Sequence, residues 1–230
     1  MGFWAQDNAE QFLENAFKSP EDMFRFSCKM CGQCCRNRPE PVLVNGADIF
    51  RMAKALGLST SEFMAKNTTY YLGENSHAPV AVLNERLDGS CRMLRKGKCM
   101  VHADKPAVCA LHPLGRMQDI RTGEMTYFLI PHVCRNGEGG REWTLREWID
   151  AFHLEETEKM SAAWNSLFGG IFKVTCKMKP EKISKDMELA MLGALYFNYD
   201  TSEPFEAQVE RNKQLIRKWF LEGMGIALTF

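Results

Sequence analysis

Apolar residues recur along this chain in two rhythms, and the change falls near residue 140. Beyond it they stand three and four apart, the spacing of one helical face. Leu145, Trp148, Ile149 and Phe152 follow Thr144, and Thr144 with Glu147 makes the pattern that caps a helix start. Met160, Ala163, Trp164, Leu167 and Phe168 predict a second helix ending before Gly169-Gly170. Ile183, Met187, Met191, Ala194 and Leu195 predict a third, and Val209, Ile216, Trp219 and Phe220 a fourth beginning near Pro204. The Trp and Met residues on these faces read as core.

Before residue 140 the rhythm is shorter and more often broken. Phe12, Leu13, Ala16 and Phe17, after Asp7 with Glu10 in capping-box position, predict a helix over roughly 7–18. Val42–Val44, Val80–Leu83 and Thr126–Ile130 read as strands. Asp48–Leu56 reads as a helix stopped by Gly57, and Ser59 with Glu62 caps another carrying Phe63 and Met64. Cys91–Val101 reads as loop or short strand broken by Gly97, and Gly137–Gly140 as a turn. The fold class expected is α+β, mostly helical. A loop-rich cysteine-cluster domain with an N-terminal helix occupies 1–140, and a helical extension packed on it occupies 141–230. No internal repeat or low-complexity linker interrupts the chain.

Composition narrows the classes. With 230 residues, 45% of them apolar and 25% charged, the chain can bury a core without disulfide staples. Lys+Arg and Asp+Glu both number 29, so the basic excess of a nucleic-acid binder is missing, and a membrane-surface role has no support. Met1–Phe17 lacks the charged start and apolar run of a secretory signal, and the nearly apolar Leu189–Phe197 is too short to span a bilayer. A cytoplasmic location is expected.

Nine cysteines then demand an explanation, since reducing compartments disfavour disulfides and clustered cysteines there bind metal or act in catalysis. Cys28-Lys-Met-Cys31-Gly-Gln-Cys34-Cys35 sets three thiols at x2, x2 spacing, as in the ligand run of bacterial [4Fe–4S] proteins. Gly32 suits the tight turn this needs. Cys91, Cys99, Cys109 and Cys134 raise the candidate ligands to eight, enough for two four-cysteine sites. Adjacent Cys34 and Cys35 are expected to point apart and serve neighbouring centres. Cys176, far along the helical part, reads as a small hydrophobe. All-cysteine sites also serve zinc, so zinc is the alternative to one or two [4Fe–4S] clusters. The triple x2 spacing leans toward iron. So do the cations Lys29, Arg36, Arg38, Arg92, Arg95, Lys96, Lys98 and Lys105, which favour an anionic thiolate centre. His102, His112 and His132 lie beside the second cysteine group and read as hydrogen-bond partners of a centre rather than its ligands.

These residues resemble the YkgJ-type cysteine-cluster family, a zinc- or iron-chelating domain with the signature CxxCxxCC. Here the signature stands as Cys28, Cys31, Cys34 and Cys35. A second signature resembles Cys91-Arg-Met-Leu, then Gly97-Lys-Cys99-Met-Val-His, then Lys105-Pro106-Ala-Val-Cys109 with Pro113 following, and Cys134 matches a further cysteine. The resemblance covers roughly residues 25–136. It departs from the family pattern at His102, where the family has Tyr, and at Lys105 and Ala110, where it has Arg. It implies a chelating domain rather than a reaction. A related domain occurs in flagellin lysine methylases, but no GxGxxG loop for a methyl donor is present.

The function expected is a metal-binding iron–sulfur protein in electron transfer, or the redox part of a modification or maturation system, with a protein or peptide partner. A zinc-stabilised interaction module is one alternative, and a cluster-dependent enzyme acting on a peptide or small substrate another. No catalytic residue is assigned.

Overall fold

Three helices begin where a polar side chain and a carboxylate three residues on can satisfy each other's backbone amides. Asn45 with Asp48, Ser59 with Glu62, and Thr144 with Glu147 each form the complete reciprocal box. Such a cap is worth about 1 kcal/mol. The first of these helices therefore starts at Gly46, two residues before the Asp48 expected to open it, because Asn45 is the capping residue.

A computed structural model describes residues 16–36, 41–118, 125–130 and 138–230. Along the chain lie β1 (Met23–Phe26), a 3-10 turn (Gln33–Cys35), β2 (Leu43–Val44), α1 (Gly46–Ala55) and α2 (Thr60–Asn67). Then come β3 (Thr68–Leu72), β4 (Pro79–Leu83), β5 (Leu94–Arg95), β6 (Lys98–Cys99) and α3 (Ala107–Leu111). They are followed by β7 (Leu114–Gln118), β8 (Met125–Leu129), β9 (Glu138–Thr144), α4 (Leu145–Ala151) and α5 (Leu154–Thr175). The last are α6 (Lys185–Leu192), a π turn (Gly193–Phe197) and α7 (Phe205–Met224). The class is mixed α+β, and helix outweighs strand at 46% against 20%. Among the described residues no helix is long and apolar enough to cross a membrane.

Two compact units divide these elements, and neither is continuous in sequence. The first takes the described parts of Met1–Pro41, Glu85–Ala103 and Ala107–Glu155; the second takes Val42–Asn84, Asp104–Pro106 and Glu156–Phe230.

In the second unit β4 is the middle strand of an antiparallel sheet ordered β2-β4-β3, and its alternate residues Pro79, Ala81 and Leu83 are buried. The core gathers Ile49 and Met52 of α1, Phe63 of α2, Leu167 and Ile171 of α5, Met187 and Met191 of α6, and Phe220 of α7. Trp164 is buried as its spacing predicts, and its indole Nε1 donates to the Leu195 carbonyl at 2.8 Å. Helix α5 runs through Gly169-Gly170 instead of stopping there. Gly170 is needed for close approach: a Cβ on it would lie 2.1 Å from the Phe230 ring.

In the first unit β1 pairs antiparallel with β9, from Met23 opposite Thr144 to Phe26 opposite Glu138, with a bulge at Arg25/Phe26. Two further antiparallel pairs, β5-β6 and β7-β8, complete its strands. The core is aromatic and centres on Trp148. That ring meets Phe24, Phe26, Trp143 and Phe152 at centroid distances of 5.5, 5.7, 5.1 and 4.7 Å. Its Nε1 donates to the Leu111 carbonyl at 3.2 Å, so the one polar atom of the ring is satisfied.

Two expectations are corrected here. Ala16 forms a β-bridge with Phe128, and the Phe17 amide donates to the Tyr127 carbonyl at 2.9 Å, so the end of the predicted N-terminal helix is extended chain. Residues 7–15 of that prediction lie outside the described residues. Glu138–Gly140 open β9 rather than forming a turn, because Gly140 lets the strand pass Ser27, whose Oγ would sit 2.4 Å from an added Cβ. Gly137 is outside the described residues.

Candidate metal centre

The loop bearing the first cysteine group turns twice through left-handed backbone, at Met30 (φ 51°) and Gly32 (φ 70°). For Met30 this costs on the order of 1 kcal/mol, a strain that persists only where surrounding structure enforces it. Gly32 is required on two counts, since an added Cβ would also come within 3.0 Å of Leu94 Cδ1. After it the chain enters the 3-10 turn, with the Cys35 amide bonded to the Gly32 carbonyl at 3.1 Å.

Backbone then fastens the two cysteine groups together. The Cys91 amide donates to the Cys35 carbonyl at 2.7 Å, and Arg36 forms a β-bridge with Ser90. Ser90 is buried, and both its amide and its hydroxyl donate to Asp88 Oδ1, at 3.0 and 2.6 Å. The Ser90 hydroxyl, then its amide, holds the Asp88 carboxyl below the usual carboxylate range. Arg86 supports the same turn from its other side. Its guanidinium donates to the carbonyls of Cys91 at 2.9 Å, of Arg92 at 2.8 Å, and of Leu94. Sequence reasoning missed Arg86, because a side chain that binds mainly backbone carbonyls leaves no partner motif.

Of the eight candidate ligands, seven are described, and all seven lie in the first unit. Cys28 and Cys31 are exposed on the loop; Cys34, Cys35, Cys91, Cys99 and Cys109 are half-buried. Cys99 sits on β6 opposite Leu94, and Cys109 on α3. Cys134 lies outside the described residues, as does His132. Cys176 is in the second unit, at the end of α5, where its amide bonds to the Phe172 carbonyl at 3.0 Å. His112 packs edge-on against Phe26 at 5.7 Å.

The thiols of Cys34 and Cys35 are 3.8 Å apart. The expectation that adjacent cysteines point away from one another is therefore not met: the 3-10 turn carries both sulfurs toward one place. Cys35 thiol ionisation is strongly opposed, first by the hydrogen bond with Cys34, then by burial, then by the negative charge that Cys34, Cys91 and Cys109 would carry. The thiols of Cys34, Cys91 and Cys109 are thus within electrostatic reach of Cys35. Among the described residues, no three His, Cys, Asp or Glu side chains are grouped so that they could hold a metal ion.

The chemistry of the donor set nevertheless fits a thiophilic ion. A group whose charged form is disfavoured by three neighbouring thiolates is one that a bound cation would ionise, since metal coordination deprotonates thiols outright. The sulfur spacing also fits, because two thiolates bound at about 2.3 Å to one tetrahedral ion lie roughly 3.8 Å apart.

The arrangement is a cysteine cluster whose donors suit metal chelation. Residues 27–135 match the CxxCxxCC family model, described as a putative zinc- or iron-chelating domain. The matched segment holds all four residues of the signature and all four later candidate ligands, and leaves Cys176 outside. No curated protein and no solved structure matches the chain.

Proposed function

We propose that the first unit binds iron as an iron–sulfur centre and works in electron transfer, or as the redox part of a modification or maturation system acting with a protein or peptide partner. The observation that supports this reading is the joining of the two cysteine groups, through the 3.8 Å approach of the Cys34 and Cys35 thiols and the Cys91–Cys35 backbone bond, with Cys28, Cys31, Cys99, Cys109 and Cys134 proposed as further donors. So many thiols exceed the needs of one tetrahedral ion. The cations of both cysteine groups, Lys29, Arg36, Arg92, Arg95, Lys96 and Lys98, favour an anionic all-thiolate centre and raise its potential. When bound, the centre supplies one-electron chemistry. The chain's own residues hold it: Gly32 admits the turn, Arg86 fixes the carbonyls around Cys91, and the Cys91–Cys35 backbone bond keeps the two ligand segments together.

Zinc is the second reading, and the 3.8 Å separation of Cys34 and Cys35 favours it. Two sulfurs that close fit one ion, whereas a [4Fe–4S] cluster gives each thiolate its own iron and holds the sulfurs farther apart. A [2Fe–2S] centre, with two thiolates on each iron, satisfies both observations. Anaerobic purification followed by a visible spectrum and assays of iron, zinc and acid-labile sulfide separates the readings. The iron–sulfur reading expects a broad band at about 400 nm with matching iron and sulfide. Zinc without sulfide, and a spectrum empty above the protein band, rejects it.

A further inference from the structure

We infer that the β5-β6 hairpin and the Cys28–Cys31 loop beside it form a docking face for an acidic, partly apolar surface of another protein. The hairpin reverses through Lys96 (φ 49°) and Gly97 (φ 77°), the paired positive φ values of a tight two-residue turn. Its tip thus presents Arg95, Lys96 and Lys98, all exposed, with exposed Arg92 just before it. The Cys28–Cys31 loop adds exposed Lys29. Loop and hairpin are adjacent, since an added Cβ on Gly32 would meet Leu94 at 3.0 Å and the Gly97 carbonyl at 3.6 Å.

These five cations are unbalanced. Among the described residues none of them forms an ion pair. Within residues 28–36 and 85–103 the acids are Glu85 and Asp88, and Asp88 is drawn to Arg36 at 3.9 Å. The chain as a whole has no net charge, so this positive field is local rather than a general property of the surface. It is also not purely ionic. Met30, between Cys28 and Cys31, is 45% exposed, and Met100, next to Cys99, is 40% exposed. Flexible thioethers suit contact with a protein side chain and have no role in gripping phosphates. Charge complementarity therefore selects an acidic protein surface with apolar residues among its carboxylates, and places it over the candidate ligand loop. The inference deepens the reading proposed above by naming the partner class of that site, but its test does not depend on which metal is bound.

The probes are a fluorescent peptide of glutamate and leucine and an oligothymidylate of equal net charge, titrated against the metal-loaded full chain at low and high salt. The expected result is saturable peptide binding that weakens with salt and exceeds oligothymidylate binding. The triple variant Arg95→Gln, Lys96→Asn, Lys98→Gln keeps the left-handed position tolerable, and it should bind the peptide about tenfold more weakly at low salt. Met30→Ser should weaken the glutamate–leucine peptide and leave an all-glutamate peptide unaffected. Salt-independent binding by the unaltered protein would overturn the inference, even if the triple variant failed to fold. So would stronger binding of oligothymidylate, or a folded triple variant that binds like the parent. Peptide binding as expected from a preparation holding neither iron nor zinc would support the docking face while rejecting the metal reading.

Discussion

The second unit is stabilised by length and repetition, the first by short pieces and specific contacts. In the second, α5 spans 22 residues and α7 spans 20, and both bury continuous apolar faces. In the first, α4 has seven residues, α3 has five, and two of its strands have two each. Strands so short are marginal alone. What they have in exchange is Trp148 with its four ring neighbours, Arg86 holding three carbonyls, and the candidate ligands. The difference teaches where a bound metal matters: in the unit whose own secondary structure is least able to persist without it.

Metal removal is the strongest way to break that comparison. Chelation should speed amide exchange at Cys35, Arg36 and Cys91 about a hundredfold or more, while amides of α2 and α6 keep their protection. Hydrogen exchange read by mass spectrometry checks this, and equal loss in both units would refute it. Next comes Trp148→Ala, expected to cost about 3–5 kcal/mol in denaturant unfolding because it empties the centre of the first unit's core. A loss under about 1 kcal/mol would mean that the aromatic cluster is not what holds that unit.

Some of this was legible in the sequence, and the capping boxes show why. Thr144-x-x-Glu147 and Ser59-x-x-Glu62 work within four residues, so the local pattern contains the whole interaction. β1 and β9 are the opposite case. Met23–Phe26 is four residues long and finds its partner more than a hundred positions later, and the opening Glu-Gly-Gly of that partner falls in the Gly137–Gly140 stretch that reads as a turn. β3 escaped because only Thr68, the first of its five residues, is buried, which leaves no alternation to detect. The CxxCxxCC signature was legible because its spacing is itself local. The directions of Cys34 and Cys35 were not, since rotamers on a 3-10 turn settle them. That the described residues before Val42 would share a unit with Glu85–Ala103 and those of Ala107–Glu155 was invisible, because pairing across such separations leaves no period in the sequence.

Smaller effects sharpen the comparison. Ser59→Ala and Thr144→Ala remove the same cap from the second and first unit, and each should cost about 1 kcal/mol by denaturant titration. A markedly larger loss for Thr144→Ala would show that the short helix of the first unit depends on its cap more than the long-helix unit does. The smallest expected effect is that of Cys176→Ser. Metal stoichiometry by elemental analysis should not change, because this thiol stands in the second unit, apart from the seven described candidates. Loss of a whole centre would redraw the ligand set.

The interleaving of the two units has a consequence for the newly made chain. Synthesis delivers Cys28 to Cys35 first, on a loop whose partner Cys91 is more than fifty residues away in sequence. Between them comes Val42–Asn84, which belongs with a stretch that is not made until after residue 155. Each unit must therefore wait for segments that follow part of the other. No single cut of the chain separates them: a fragment ending at residue 140 keeps β2, β3 and β4 while losing α5, α6 and α7, which complete their core. The first thiols thus emerge before the structure that buries their neighbours. The two cysteine groups can be joined through the Cys35–Cys91 backbone bond only after the intervening part of the second unit has been made.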